Sequence, residues 1–146
     1  MDLNPADALA PEPTEAIAMT GRTIISTDHA PSLDAPLSQG VRRGPLVQVS
    51  GQLPYEPSTG TVVGATVAEQ TTQALRNVDA VLDAAGATLE DVVMFRVYLT
   101  DPADLSAMNE AYAAFVGSPF PARTTVYMTL PPGVLVEVDA LAVLAD

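Results

Sequence analysis

The sequence predicts an α+β domain, a mixed sheet carrying two helices. Apolar or small residues recur at helical spacing from Val67 to Ala85, and β-branched and aromatic residues crowd into DVVMFRVYLT. Between and around them, segments follow the order strands, helix, strand, helix, strand, strand, which suits a sheet with helices on one side. A chain of 146 residues with 48% hydrophobic side chains holds one domain and a substantial core.

Residues 1–21, MDLNPADALAPEPTEAIAMTG, are rich in Ala, Pro and acid without sustained periodicity, so they read as a flexible leader to a single domain over 22–146. RTIIST and PLVQVSG are strand candidates, the second closing at Ser50 and Gly51. YEPSTGTVV predicts a turn on Pro57–Gly60 and a short extended piece. In the first helix Val67, Thr71, Ala74, Leu75, Val78, Leu82 and Ala85 share a face, and Gly86 is its stop. DVVMFRVYLT then points Val93, Phe95, Val97 and Leu99 one way and Val92, Met94, Arg96 and Tyr98 the other. Asp101 and Pro102 open a second helix that turns Leu105, Met108, Tyr112 and Phe115 to the core. Two strands follow, about Arg123–Leu130 and Val134–Ala145, split by a turn at Pro131–Gly133. In the last, Val134, Val136, Val138 and Ala140 oppose Leu135, Glu137, Asp139, Leu141 and Val143. Two helices cover one sheet face. The other, still largely apolar, predicts a homo-oligomer.

A net charge of −12, with six arginines and no lysine, excludes a polyanion as the main partner, so no nucleic acid is expected. A small anion is different, because one placed arginine suffices. No apolar run reaches the ~18–20 residues of a membrane span, and no signal peptide is visible, so no membrane partner and a cytoplasmic location are expected. Lacking Cys and Lys, and with His29 alone in the turn-like TDHAPS, the chain is starved for thiolate, Schiff-base or zinc chemistry. No metal or cofactor is expected, and His29 reads as a loop histidine. Carboxylates, backbone amides, hydroxyls and arginine remain.

The runs TDHAPSLDAPLSQGV, VSGQLP, PSTG, EQTTQALRNVDAVLDAAGATLEDVV, FRVYLTD, MNEAYAAFV, PFPARTTV and VEVDALAV resemble, in order and spacing, the RidA/YjgF family of reactive-intermediate deaminases. The resemblance covers Ile24 to Val143. It implies a chorismate-mutase-like fold, a mixed sheet with two helices packed on one face, assembled as a homotrimer around a central barrel with ligand sites between subunits. It also implies cofactor-free hydrolysis of enamines or imines such as 2-aminoacrylate to 2-keto acids and ammonia. By position, Arg123 matches the arginine that pairs with the substrate carboxylate, and Thr125 a residue whose backbone helps hold it. Gly51, with Ser50 beside it, matches the residue lining the site from the first half of the fold. Glu137 matches the glutamate that orients or activates water.

Those residue types suit those roles. A guanidinium offers a carboxylate two parallel hydrogen bonds, and Pro119 and Pro121 stiffen the approach so that Arg123 enters its strand aimed. There Arg123, Thr125, Tyr127 and Thr129 form a polar stripe opposite Val126, Met128 and Leu130. Glu137, flanked by Leu135 and Val136, is expected to have its pKa raised by desolvation. Plainer readings stand beside these: Arg123 as a structural ion pair, Glu137 paired with Arg96, Asp139 structural or solvated, Asn109 making local helix bonds, Tyr127 packing at an interface. Two departures from the family pattern stand out. APLSQ puts Leu37 where deaminating members carry a tyrosine, and PARTTVYMTLPPG is one residue short before the LP turn, which bears on Tyr127 and Glu137. They suggest a larger or more apolar substrate than 2-aminoacrylate. Alternatives are a specialised member acting on an imine, enamine or cyclic pathway intermediate, and a non-catalytic small-carboxylate binder or chaperone-like trimer; ribonuclease activity is the weakest.

Overall fold

The computed structural model describes residues 21–145, so the predicted leader lies outside the described residues apart from Gly21. Six strands form one sheet in the order β1 (Thr23–Ile25), β2 (Gly40–Arg43), β3 (Leu46–Gln52), β6 (Val136–Val143), β4 (Val92–Leu99), β5 (Ala122–Tyr127). Neighbours are antiparallel except β4 and β5, which are parallel and joined by a helical crossover. The mixed sheet is as predicted, although β2, a short GVRR, carries no alternation that a sequence reading could catch.

Helix α1 (Val67–Ala84) starts where Thr66 accepts a hydrogen bond from the Glu69 N–H at 3.2 Å, and it ends at Gly86, whose φ of 79° carries the chain through the left-handed region. Asp101 caps a 3₁₀ turn at Pro102–Asp104 that runs into α2 (Leu105–Val116). Both helices pack on one face of the sheet. Leu75, Val78 and Leu82 of α1 and Met108 of α2 are fully buried there with Val47, Val49, Phe95, Val97, Leu99, Val136, Val138 and Ala140.

Polar residues complete that interface. Gln70, 1% exposed, donates to the Gly64 and Gly133 carbonyls at 3.1 and 2.9 Å and accepts from the Leu135 N–H at 2.7 Å. Asn77 donates to the Leu53 and Tyr55 carbonyls at 3.0 Å each. These amides tie the loops before β6 and after β3 to the helix, and they meet the bonding needs of backbone that would otherwise be buried without partners.

Two bulges alter the predicted facing. Val92 pairs with Ala142 and Met94 with Leu141, so Val93 is an extra residue and stands 46% exposed while Val92 is buried, the reverse of simple alternation. On β3, Val49 pairs with Ala140 but Gln52 with Val138, placing a bulge at Ser50 and Gly51, and the strand continues through Gln52 instead of closing there. β5 ends at Tyr127 and β6 begins at Val136, both shorter than predicted, so Thr129 and Val134 lie outside the strands. The remaining sheet face, with Met94, Arg96, Tyr98, Glu137, Asp139, Leu141 and Val143, carries no helix among the described residues.

Replacing Gln70 by Leu keeps volume but orphans the backbone of the loop leading into β6. Denaturant unfolding is expected to show a loss of about 2–4 kcal/mol, and an unchanged midpoint would contradict this anchoring role.

Candidate active site

The parallel register sets the site. Phe95, Val97 and Leu99 pair with Arg123, Thr125 and Tyr127, so those three side chains belong to the helix-covered face. Arg123 meets α2 there: its Nη2 donates to Asn109 Oδ1 at 2.7 Å, and its guanidinium carbon lies 4.8 Å from the centre of the Tyr112 ring. Asn109 and Tyr112 are three residues apart on α2 and so present themselves together. With Ala113, Phe120 and Pro121 they line a cavity of about 430 Å³. Both partners of the guanidinium are neutral, and among the described residues no carboxylate is paired with Arg123. Within the described residues Arg123 thus forms no ion pair, and Asn109 reaches across to the strand.

Glu137 lies on the other side of the sheet. It pairs with Tyr98, and Asp139 pairs with Arg96, which puts both carboxylates on the open face. Arg96 Nε donates to Asp139 Oδ1 at 2.8 Å and the Tyr98 hydroxyl to Asp139 Oδ2 at 2.8 Å. Arg96, the alternative partner for Glu137, is thus engaged by Asp139 instead. Glu137 is half-buried, and its carboxyl is held above the ordinary range first by desolvation and then by the negative charge of Asp139. Arg123, on the opposite face, takes no part in that balance.

Gly51 sits against Glu137, and a Cβ there would fall on Glu137 Oε1. The bulge at Ser50–Gly51 thus leaves room for the carboxylate. Ser50 is tied back to the preceding loop, its hydroxyl donating to the Ser38 carbonyl at 2.6 Å and its N–H to the Gln39 carbonyl at 2.9 Å. The Gln39 side chain in turn accepts from the Thr27 N–H at 2.7 Å and donates to the Thr27, Ala30 and Pro31 carbonyls, so it moulds the 27–31 loop. Leu37, two residues before Gln39, is half exposed.

The predicted residues therefore fall into two groups within one chain. Arg123 and Thr125 stand on one face; Glu137 and Gly51 meet on the other, with Ser50 beside them. Tyr127 shares the Arg123 side but is 45% exposed at the sheet edge and does not line the cavity. Sequence reading missed Asn109 and Tyr112 as contacts of Arg123. Their i, i+3 spacing was visible, but the helical period assigned Tyr112 to the core. His29 lies elsewhere, in a shallow depression with Arg76, Asp79 and Asp83. Among the described residues no cluster of His, Cys, Asp and Glu could hold a metal, and no helix is long and apolar enough to cross a membrane.

Comparison with known proteins gives this geometry a family. The family model described as endoribonuclease L-PSP matches residues 27–144. A RutC family protein of Saccharolobus solfataricus is 45% identical over 122 residues, covering 83% of this chain and 97% of its own length. The human 2-iminobutanoate/2-iminopropanoate deaminase is 39% identical over 123 residues, covering 84% and 90%. Among solved structures, E. coli TdcF with bound serine superposes with a TM-score of 0.79 at 36% identity, covering 84% of this chain and 98% of that one.

Two outcomes follow from the Glu137 side. Gly51→Ala is expected to displace the flexible end of Glu137 at a stability cost below about 1 kcal/mol, and a crystal structure of the variant in which the Glu137 carboxylate has not moved would contradict it. Asp139→Asn removes a negative charge that disfavours ionisation of Glu137, so the Glu137 pKa falls without losing the part due to burial. A carboxyl-carbon NMR titration checks the sign, and an unchanged or raised pKa would refute it. With its sheet order and these matches over most of its length, the chain belongs to the RidA/YjgF family.

Proposed function

We propose that this protein hydrolyses small 2-imino acids and their enamine tautomers to 2-keto acids and ammonia, without a cofactor. The observation that carries the reading is Arg123, a guanidinium held at a cavity wall by two neutral groups, its charge available to a carboxylate. That human and bovine relatives are named 2-iminobutanoate/2-iminopropanoate deaminases supports the substrate class, and the serine in the TdcF structure supports a site for a small amino-acid-like carboxylate.

In this reading Arg123 takes the carboxylate in two parallel hydrogen bonds, with the Thr125 backbone beside it, and so fixes the plane of the C=N group. An enamine is first protonated on its terminal carbon by solvent, and the reacting form is the protonated imine, C=NH2+. Glu137 accepts a proton from a water as the water oxygen bonds to C2, giving a carbinolamine. It returns the proton to nitrogen, the C–N bond breaks and ammonia leaves, and Glu137, again ionised, takes the hydroxyl proton as the keto group forms and passes it to solvent. The raised pKa of Glu137, from burial and then the Asp139 charge, makes it a stronger proton acceptor than an ordinary carboxylate. Apolar Phe120, Ala113 and Pro121 by Arg123, and Leu37 near the Ser50–Gly51 turn, favour imino acids with apolar side chains over 2-aminoacrylate.

Arg123 and Glu137 occupy opposite faces of one sheet, so one active site takes them from two copies, with Arg123 of one subunit meeting Glu137 of the next. The open face, where Met94, Leu141 and Val143 flank the Arg96–Asp139 pair, is the surface on which copies associate, and a trimer is the proposed assembly. Thr125 and Tyr127 then line the Arg123 side and Ser50, Gly51 and Leu37 the Glu137 side, Tyr127 at its rim. A net charge of −12 disfavours the nuclease activity in the family model's description.

The test is subunit complementation. Arg123→Ala and Glu137→Gln should each lower turnover of an enzymatically generated imino acid by at least about a hundredfold. Unfolded together and co-refolded at equal amounts, the two variants should recover roughly a quarter of wild-type activity, the share of sites with both groups intact in a cyclic assembly with sites between copies. No recovery from variants that do co-assemble would place both residues in one subunit, and an inactive wild type would overturn the hydrolase reading.

A further inference from the structure

We propose that Tyr112 is a positioning residue whose ring face sets the plane in which Arg123 meets the substrate carboxylate. The inference rests on the reading of Arg123 given above. A planar guanidinium binds a carboxylate well only when the two planes nearly coincide, so whatever fixes the tilt of the guanidinium governs the strength of the pair. Asn109 fixes one edge through Nη2 at 2.7 Å, but a single in-plane hydrogen bond leaves rotation about that edge free. The Tyr112 ring, with the guanidinium carbon 4.8 Å from its centre, supplies the missing out-of-plane contact.

The ring is itself held. Tyr112 is 4% exposed and meets Phe95 edge-on, ring centres 5.5 Å apart at 83°, while Phe120 lies 6.3 Å away across the cavity wall. Phe95 pairs directly with Arg123 across the β4–β5 register, so one stack runs from the buried core to the cavity: Phe95, Tyr112, then the guanidinium. The Tyr112 hydroxyl is buried and has no hydrogen-bond partner among the described residues, which assigns the role to the ring and not to the phenol. A Leu or Met would fill the same core volume. Neither would offer a π face.

The experiment separates this from simple packing. Tyr112 is replaced by Phe and then by mono-, tri- and pentafluorophenylalanine, nearly isosteric rings whose faces become progressively less negative. The imino-acid KM, the kcat and the Kd for 2-ketobutyrate, measured calorimetrically, are followed with the melting temperature as control. Tyr112→Phe should match wild type within about twofold, and KM and Kd should then rise stepwise with fluorine, reaching roughly 5–30-fold for the pentafluoro ring while kcat changes less. Flat KM and Kd across the series would overturn the inference while leaving the hydrolase reading intact. So would a large loss in Tyr112→Phe itself, which would assign the work to the hydroxyl. A wild-type protein that neither binds 2-ketobutyrate nor turns over an imino acid would overturn both.

Discussion

The register of β4 between β6 and β5 is the constraint on which the rest depends. Pairing Phe95 with Ala140 on one side and with Arg123 on the other fixes which side chains face the helices and which face away. A slip of one residue in either pairing would exchange the faces, putting Arg123 in the open and Glu137 in the core. The register is in turn secured by burial: Phe95, Val97 and Leu99 fill the space under α1 and α2 together with Val136, Val138 and Ala140, and a one-residue slip would take one of the two sets out of the core. Core packing and site placement are thus one fact seen from two sides of the sheet.

The electrostatics divide along the same plane. On the helix side Arg123 rests on an amide oxygen and an aromatic face, partners that orient a guanidinium without neutralising it. On the open side two carboxylates two residues apart are made unlike by their neighbours. Arg96 and Tyr98 both donate to Asp139, while Glu137 is left over Gly51, where burial and the adjacent charge favour its protonated form. A carboxylate bound by two donors beside one without them follows from two cross-strand side chains. The surplus acid of the chain therefore does not prevent a local anion site, because the cation and the carboxylates are separated by the thickness of the sheet.

Much of this was legible in the residues. Helical spacing found α1 to within a residue, alternation found the buried faces of β4 and β6, and the resemblance of PARTTV and VEVDALAV to family motifs picked out Arg123 and Glu137. Legibility failed where a local irregularity overrides a period. The bulges at Val93 and at Ser50–Gly51 are insertions of one residue that no alternation rule announces. It failed again where a polar residue takes a core position: Gln70 and Asn77 broke the apolar spacing, yet they are among the most buried side chains because loop backbone needs their amides. Tyr112 is the converse, correctly placed in the core by its period and for that reason not considered as a contact of Arg123. The separation of Arg123 from Glu137 was implicit in strand alternation but required the pairing of β4 with both neighbours, which sequence alone does not state.

In the proposed enzyme one catalytic site is completed by two copies of the chain, Arg123 from one and Glu137 from another. A crystal structure of the assembly with a bound 2-keto acid tests it most directly. The account predicts the ligand carboxylate in a two-point contact with Arg123 and its C2 within about one water of a Glu137 carboxylate belonging to a neighbouring subunit. A 2-keto acid seated away from Arg123, or with every Glu137 too distant to share a water with C2, would contradict it.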